Sequence, residues 1–304
     1  MNVFALLLTT LLALPAPHAT FDAGFAKVER FGNPQGRPVI FIPGLACGPW
    51  VWGNQIAALA PRYDLYVLSL PGFDGQPMVT GDDLMKRAVD SVHDVIVSQH
   101  LRRAIVVGHS LGGTISVMFA QTYPHDASLV VSVEGGYPEA PTQAERNAAV
   151  ARETKPYEGI PAAQLGSALR TNMLQYTITS PADVDRATEL AGRSDPAAIV
   201  VWMRAALLLD LTPGLTAIAA PFTEIIPYDA QIDPYRGFKT QDAKLQAYRQ
   251  WVAHVPNGNV VLIPNARHFV MIDQPSAFEA ALHDAFVRAD ALGFTREGFA
   301  SKAR

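Results

Sequence analysis

The stretch Ala104-Ile105-Val106-Val107-Gly108-His109-Ser110-Leu111-Gly112-Gly113-Thr114 decides how the rest of the chain is read. Residues 104–107 have the length and composition of a buried strand, and residues 114–123 carry a helical run. The backbone must therefore pass from extended to helical within a few residues around Ser110. Such a turn strains its central residue, and glycines two positions to either side, Gly108 and Gly112, remove the Cβ atoms that would clash. Ser110 is thereby lifted above the carboxyl edge of a sheet. The Leu111 N–H that follows lies at a helix N-terminus, where the dipole favours developing negative charge.

Outward from this turn, short uniformly apolar runs recur at residues 39–42, 65–70, 129–133, 222–226 and 260–263. Apolar runs of this length, without alternation, predict strands covered on both faces. Helical patterns separate them. In residues 82–101, Leu84, Ala88, Val92 and Val95 share one face. A last helix starts near Pro275 and turns Phe278, Leu282 and Phe286 inward. Strand–helix alternation predicts an α/β fold, a mostly parallel central sheet with helices on both faces. The rhythm breaks over residues 135–220, where only helical segments appear, at 143–153, 181–190 and 195–209. That interval reads as a helical cap inserted between core strands, the core itself being residues 20–134 and 221–304.

Composition narrows the function classes. The 304 residues carry 24 Lys+Arg against 28 Asp+Glu, a formal net charge of −4, with 49% hydrophobic residues. Disorder needs the opposite balance. Slight acidity supplies no electrostatic footprint for nucleic acid. The single cysteine, Cys47, can form no intrachain disulfide and no cysteine-based zinc cluster. No metal-binding or nucleotide-binding signature appears in a suitable setting, so no cofactor is expected. At the amino terminus, residues 3–14 form an apolar run of signal-peptide length, followed by Pro15, Pro17 and the small residue Ala19. The run is too short to span a bilayer. The reading is a signal peptide over residues 1–19, cleavage near Ala19, and a periplasmic or secreted protein with no membrane anchor after cleavage. An uncleaved chain would be cytoplasmic.

The motif around Ser110 resembles the nucleophile turn of the α/β-hydrolase family, in the manner of capped serine esterases and lipases. Residues 39–45, ending Pro43-Gly44-Leu45, are similar to the family's oxyanion strand and loop, although the family commonly has His-Gly there. Residues 70–73, Leu-Pro-Gly-Phe, resemble the turn after the next strand, and residues 266–275 resemble the segment that delivers a catalytic histidine. The resemblance implies a serine hydrolase with a Ser–acid–His order along the chain, cleaving a carboxylic ester through an acyl-enzyme. It implies Ser110 as nucleophile and His268 as general base, with the N–H groups of Leu45 and Leu111 as the oxyanion hole. The same triad could serve C–C bond, thioester or perhydrolase chemistry, and a capped cavity could serve a non-catalytic receptor.

The acid that orients His268 is taken as Asp233, in the Asp-Pro pair beyond the strand at residues 222–226. Asp229, four residues earlier, and Glu134, at the end of the strand at 129–133, are alternatives. Asp273 is expected to cap the last helix. Of the eight histidines, His93, His100, His125, His254 and His283 are expected at the surface, and His109 is expected to project away from Ser110. Cys47 reads as a small packing residue. Met173, Trp202, Met203 and residues 207–209 of the cap either line an apolar acyl pocket or form the cap's own core. The expected partner is a small-molecule ester with an apolar acyl group. No oligomeric assignment follows from the sequence.

Overall fold

The computed structural model describes residues 14–138 and 140–293. The chain opens with an antiparallel hairpin, β1 (Ala19–Ala23) and β2 (Ala26–Gly32), followed by β3 (Arg37–Ile42), α1 (Gly53–Leu59), β4 (Tyr63–Ser69) and α2 (Leu84–Ser98). Next come β5 (Ile105–His109), α3 (Leu111–Thr122) and β6 (Leu129–Val133). All six strands anticipated from the apolar runs are present, the last two being β7 (Phe222–Tyr228) and β8 (Gly258–Pro264). They join the hairpin in one eight-stranded sheet of order β1-β2-β4-β3-β5-β6-β7-β8. The pairs β1–β2 and β2–β4 are antiparallel, and every other pair is parallel.

Strands β3, β5 and β6 are buried along nearly their whole length, as uniform apolar runs require when helices cover both faces. Strand β8 departs from that expectation. It is the sheet's edge, and most of its residues are only half-buried. The hairpin was not visible in the sequence. Its inner strand alternates, with Ala26, Val28 and Phe31 buried, and β1 is mostly exposed. Gly24 makes the reversal between the two strands at φ 56°, and a Cβ there would lie 2.6 Å from Ser91 Oγ. Across β2 and β4, Arg30 grips Asp64 with two N–H groups at 2.7 and 2.8 Å, and Tyr66 donates to the same carboxylate at 2.8 Å. The carboxylate of Asp64, nearly buried, is thereby satisfied on both oxygens.

Between β6 and β7 the described residues contain helices and no strand. The helices are α4 (Gln143–Thr154), α5 (Leu165–Leu169), α6 (Gln175–Thr177), α7 (Pro181–Ala191) and α8 (Pro196–Leu207), with a π-helical turn at Arg170–Leu174 joining α5 to α6. Their starts are chemically marked. Thr142 and Glu145 form a reciprocal capping box on α4, and the side chains of Ser180 and Asp195 cap α7 and α8. Trp202 of α8 is fully buried, donates to the Pro71 carbonyl at 3.0 Å, and packs on Phe25 and Phe73. It is a packing residue that anchors the insertion to the core. After β7 come α9 (Gln241–Val252), β8, the short α10 (Val270–Asp273) and α11 (Pro275–Ala291), whose Phe278, Leu282 and Phe286 are buried as expected. The expected signal segment falls largely in residues 1–13, outside the described residues. Among the described residues no helix is long and apolar enough to cross a membrane.

Candidate active site

The turn at Ser110 has the conformation its glycines permit. Ser110 sits at φ 55°, ψ −116°, a region that L side chains rarely adopt. A Cβ on Gly108 would stand 2.0 Å from the Gly112 carbonyl oxygen, and one on Gly112 would stand 2.1 Å from the Ile42 carbonyl oxygen. The start of α3 therefore lies directly against the ends of β5 and β3. The Ser110 N–H donates to the Val133 carbonyl at 2.9 Å, and the Ser110 carbonyl accepts from Thr114 N–H at 2.9 Å. The turn is thus pinned to strand β6 on one side and opens the helix on the other. As the first residue of α3, Leu111 has no intrahelical acceptor for its N–H.

The loop after β3 closes over the same point. A Cβ on Gly44 would lie 3.2 Å from Ser110 Cβ and 3.0 Å from His109 Nδ1. Ala46, at φ 58°, and a Cys47 N–H bond to the Gly44 carbonyl at 3.2 Å shape this loop. Among the described residues the Leu45 N–H donates to no backbone acceptor. Leu45 and Leu111, which flank this turn in the loop after β3 and at the start of α3, thus keep N–H groups without a backbone acceptor among the described residues. Cys47 is completely buried, and its thiol is pushed far up by that burial, with Asp74 adding to the effect. It packs in the loop, its thiol donating to the Leu45 carbonyl at 3.3 Å.

His268 stands in the loop between β8 and α10. Its Nδ1 meets Glu134 Oε2 at 2.5 Å. Its backbone carbonyl accepts a hydrogen bond from His109 Nε2 at 3.0 Å, and the two imidazole rings lie 4.6 Å apart. Since a carbonyl only accepts, His109 carries its proton on Nε2. His109 is fully buried, and burial, with His268 nearby, holds it well below the ordinary histidine value. It is a neutral brace between the residue beside the nucleophile and the histidine loop, a role the sequence did not disclose.

The carboxylate on His268 is thus Glu134 rather than Asp233. Glu134 immediately follows β6, sits at φ 45°, and donates its N–H to the Ile225 carbonyl at 3.0 Å. The adjacent Gly135 is pressed on the serine turn, where a Cβ would lie 2.7 Å from the Ser110 carbonyl oxygen. Asp233 is directed elsewhere, and both its oxygens are engaged. Oδ2 accepts from the Asp229 N–H at 2.7 Å, and Oδ1 accepts from Lys244 Nζ at 2.7 Å. Asp229 builds the same turn, its Oδ1 accepting from the N–H groups of Gln231 and Ile232 at 2.9 and 3.0 Å. Its Oδ2 lies 3.5 Å from Arg267 Nε. Asp273 does not cap α11, whose N-cap position belongs to Gln274. Instead its carboxylate accepts from Thr179 N–H and Oγ1 and from Arg267 N–H, at 2.8 to 2.9 Å. It ties the histidine loop to the helical insertion.

Burial alone would raise the Glu134 carboxyl, but Lys244, Arg236 and His268 outweigh it and hold it well below the usual carboxylate range. Lys244 Nζ reaches Glu134 Oε1 at 2.5 Å, and Arg236 comes within 3.5 Å of the same oxygen. Glu224, opposite Ser132 in the β6–β7 register, behaves in the other way. It is fully buried, accepts the Gly135 N–H at 3.2 Å, and burial pushes it well above the carboxylate range, which favours its protonated form. Neither Lys244 nor Glu224 stood out in the sequence as a site residue. A signal for Lys244 existed, because it shares a helix face with Tyr248, Trp251 and Val252, where a lysine is out of place.

A family model described as the alpha/beta hydrolase family matches residues 39–281. Over 98 residues the chain is 29% identical to a putative carbamate hydrolase, RutD, of Escherichia coli, a match that spans 32% of this chain and 35% of that protein. The chain thus aligns with about a third of the length of the curated relatives it matches. Among solved structures, a thermophilic esterase from Thermogutta terrifontis superposes with a TM-score of 0.73 at 17% identity, covering 89% of this chain and 99% of that one. The enol-lactonase from Burkholderia xenovorans superposes at 0.69 and 16% identity, covering 88% and 100%. MenH from S. aureus does so at 0.72 and 14% identity, covering 86% and 98%. At these identities the likeness is one of fold.

Proposed function

The chain belongs to the alpha/beta hydrolase family, and from that premise we propose that it is a serine hydrolase cleaving a carboxylic ester through an acyl-enzyme. The observation that carries this reading is the contact of His268 Nδ1 with Glu134 at 2.5 Å, beside a serine held at positive φ. With Nδ1 given to the carboxylate, Nε2 is the nitrogen left to take the Ser110 proton. The serine oxygen then attacks the ester carbonyl. Negative charge gathers on the carbonyl oxygen, where the amides of Leu45 and Leu111 receive it. His268 returns the proton to the departing alcohol, leaving the acyl group on Ser110. Water enters by the reverse exchange, giving its proton to His268 and its oxygen to the acyl carbon, and the acid departs as Ser110 regains its proton. Glu134 keeps the imidazole in one tautomer and stabilises the imidazolium.

The helical segment at residues 135–220 is assigned as a cap over this centre. A small ester with an apolar acyl group is the substrate class, in keeping with esterase and lactonase among the fold's relatives. Export with cleavage near Ala19 is retained as part of the proposal. A cut there would fall at the first residue of β1, and the intact mass of protein recovered from an extracytoplasmic extract reads it directly. The catalytic reading is tested by labelling with a fluorophosphonate and locating the adduct by mass spectrometry. An adduct on Ser110, lost in Ser110→Ala and His268→Ala, is expected. Its absence from folded wild-type protein would remove the hydrolase mechanism. A series of p-nitrophenyl esters on the same samples then separates ester cleavage from the other chemistries that this triad can perform.

A further inference from the structure

Lys244 lies between two acidic groups, one from each of the loops that could supply the orienting carboxylate. Its side chain is 1% exposed, and its ammonium bonds Glu134 Oε1 at 2.5 Å and Asp233 Oδ1 at 2.7 Å. We propose that Lys244 is a positioning residue for hydrolysis, an ammonium that fixes Glu134 for His268 while Asp233 supplies its second counter-charge. The proposal rests on the reading of Ser110 and His268 given above.

The geometry divides the Glu134 carboxylate between two tasks. Oε1 is taken by Lys244, and Oε2 is left for His268. With one oxygen pinned, the carboxylate cannot rotate away from the imidazole without breaking a buried, charge-assisted bond. Lys244 is itself held on three sides, by the two carboxylates and by the ring of Phe238, 5.7 Å from Nζ. A lysine this deeply buried needs such partners to keep its charge.

Charge balance explains why two acids attend one lysine. Glu134, Asp233 and Lys244 together carry one negative charge, which is cancelled when His268 takes the serine proton. Of the other groups facing the cluster, Arg236 approaches Glu134 at 3.5 Å and adds to the pull that holds its carboxyl down, but a third of its side chain is open to solvent and its charge lies at the cluster's rim. Glu224 lies across the Gly135 amide, where burial pushes its carboxyl upward and disfavours a charge. His109 is neutral, and Asp229 and Arg267 oppose each other at 3.5 Å. Without Asp233 the same proton transfer would leave net positive charge in a buried site.

Two substitutions therefore act in opposite directions on the pH profile. Lys244→Met leaves two buried carboxylates without their shared cation, so they take up a proton more readily. Asp233→Asn leaves Lys244 on Glu134 alone and makes the imidazolium harder to form. The experiment measures the rate of fluorophosphonate labelling at Ser110 against pH, with kcat and KM for a p-nitrophenyl ester, on full-length protein whose fold is checked by circular dichroism. Lys244→Met is expected to slow labelling on the order of a hundredfold and to lower kcat more than it changes KM. Its acidic limb should move to higher pH, whereas that of Asp233→Asn should move to lower pH. A folded Lys244→Met with the wild-type rate and profile overturns the proposal. If that variant does not fold, Asp233→Asn decides alone: a limb displaced downward supports the proposal, and an unmoved or raised limb overturns it. Failure of wild-type Ser110 to label would overturn the hydrolase reading along with this one. Labelled wild type with unresponsive variants would overturn this one only.

Discussion

Glu134 occupies the position at which the chemistry of this site turns. A carboxylate bonded to His268 Nδ1 fixes the tautomer that leaves Nε2 free, so Glu134→Gln, which can present an N–H to the same nitrogen, should reverse it. We expect that variant to lose about three to four orders of magnitude in kcat, while Asp233→Asn loses no more than about tenfold; steady-state kinetics on one chromogenic ester compares them. Glu224 makes a separate prediction, on stability. Its carboxyl lies above the reference value of 4.5 in the fold, so above that pH the unfolded chain releases a proton that the native protein keeps. Stability is then lost as pH rises from 4.5 toward the raised folded value. Glu224→Gln removes that titration, and its Tm relative to wild type should climb between pH 4.5 and 8, as read by scanning calorimetry. The strained turn at Ser110 and the loop that carries His268 were legible in the sequence because each sits in a motif whose meaning is local. The acid was not. Choosing between Glu134 and Asp233 depends on which strand end faces the imidazole, and on Lys244 and the Asp229 amide occupying both oxygens of Asp233. None of those contacts is between neighbours in sequence.

Elements with a uniform apolar run were read correctly, since burial on both faces leaves an unmistakable composition. The hairpin β1–β2 was missed because an antiparallel strand at a sheet's margin needs only one covered face, and its alternation is brief. The helix start at Pro275 was legible from proline's preference for the first turn, and Pro181 and Pro196 hold the same place in their helices. The π-helical turn at Arg170–Leu174 left no trace in the periodicity. Of the histidines expected at the surface, His93 is part-exposed and also bonded to Asp126 at 2.6 Å and stacked on Tyr123. Elements pack closely at the start of α3, where Gly112 meets the backbone at the end of β3. Gly112→Ala places a methyl 2.1 Å from the Ile42 carbonyl oxygen, and the backbone cannot yield as a side chain would. A destabilisation of at least about 2 kcal/mol is expected from urea unfolding.

Across the whole molecule, the helical insertion and the histidine loop are stitched together at several points. Besides the Asp273–Thr179 contacts, Phe269 N–H donates to the Thr177 carbonyl at 3.0 Å, and the Arg267 guanidinium reaches the carbonyls of Gln175 and Ile178 at 3.0 and 3.2 Å. Asp273→Ala should therefore raise hydrogen exchange in residues 175–179 and in residues 266–269 together, leaving the buried strands β5 and β6 protected; exchange mass spectrometry would resolve the two segments. That the interval between β6 and β7 holds helices alone was legible from the absence of apolar runs. Its attachment to the histidine loop was not, because it joins side chains about ninety residues apart. The order of parts along the chain has a consequence for synthesis. The serine turn, both amides and Glu134 are all made before the insertion begins, whereas Asp233, Lys244 and, beyond β8, His268 come after it. On the proposed mechanism, a nascent chain halted anywhere before its final strand holds a serine with no proton acceptor, however well its first half has folded. Activity at Ser110 would then wait until translation is nearly done and the last edge of the sheet docks.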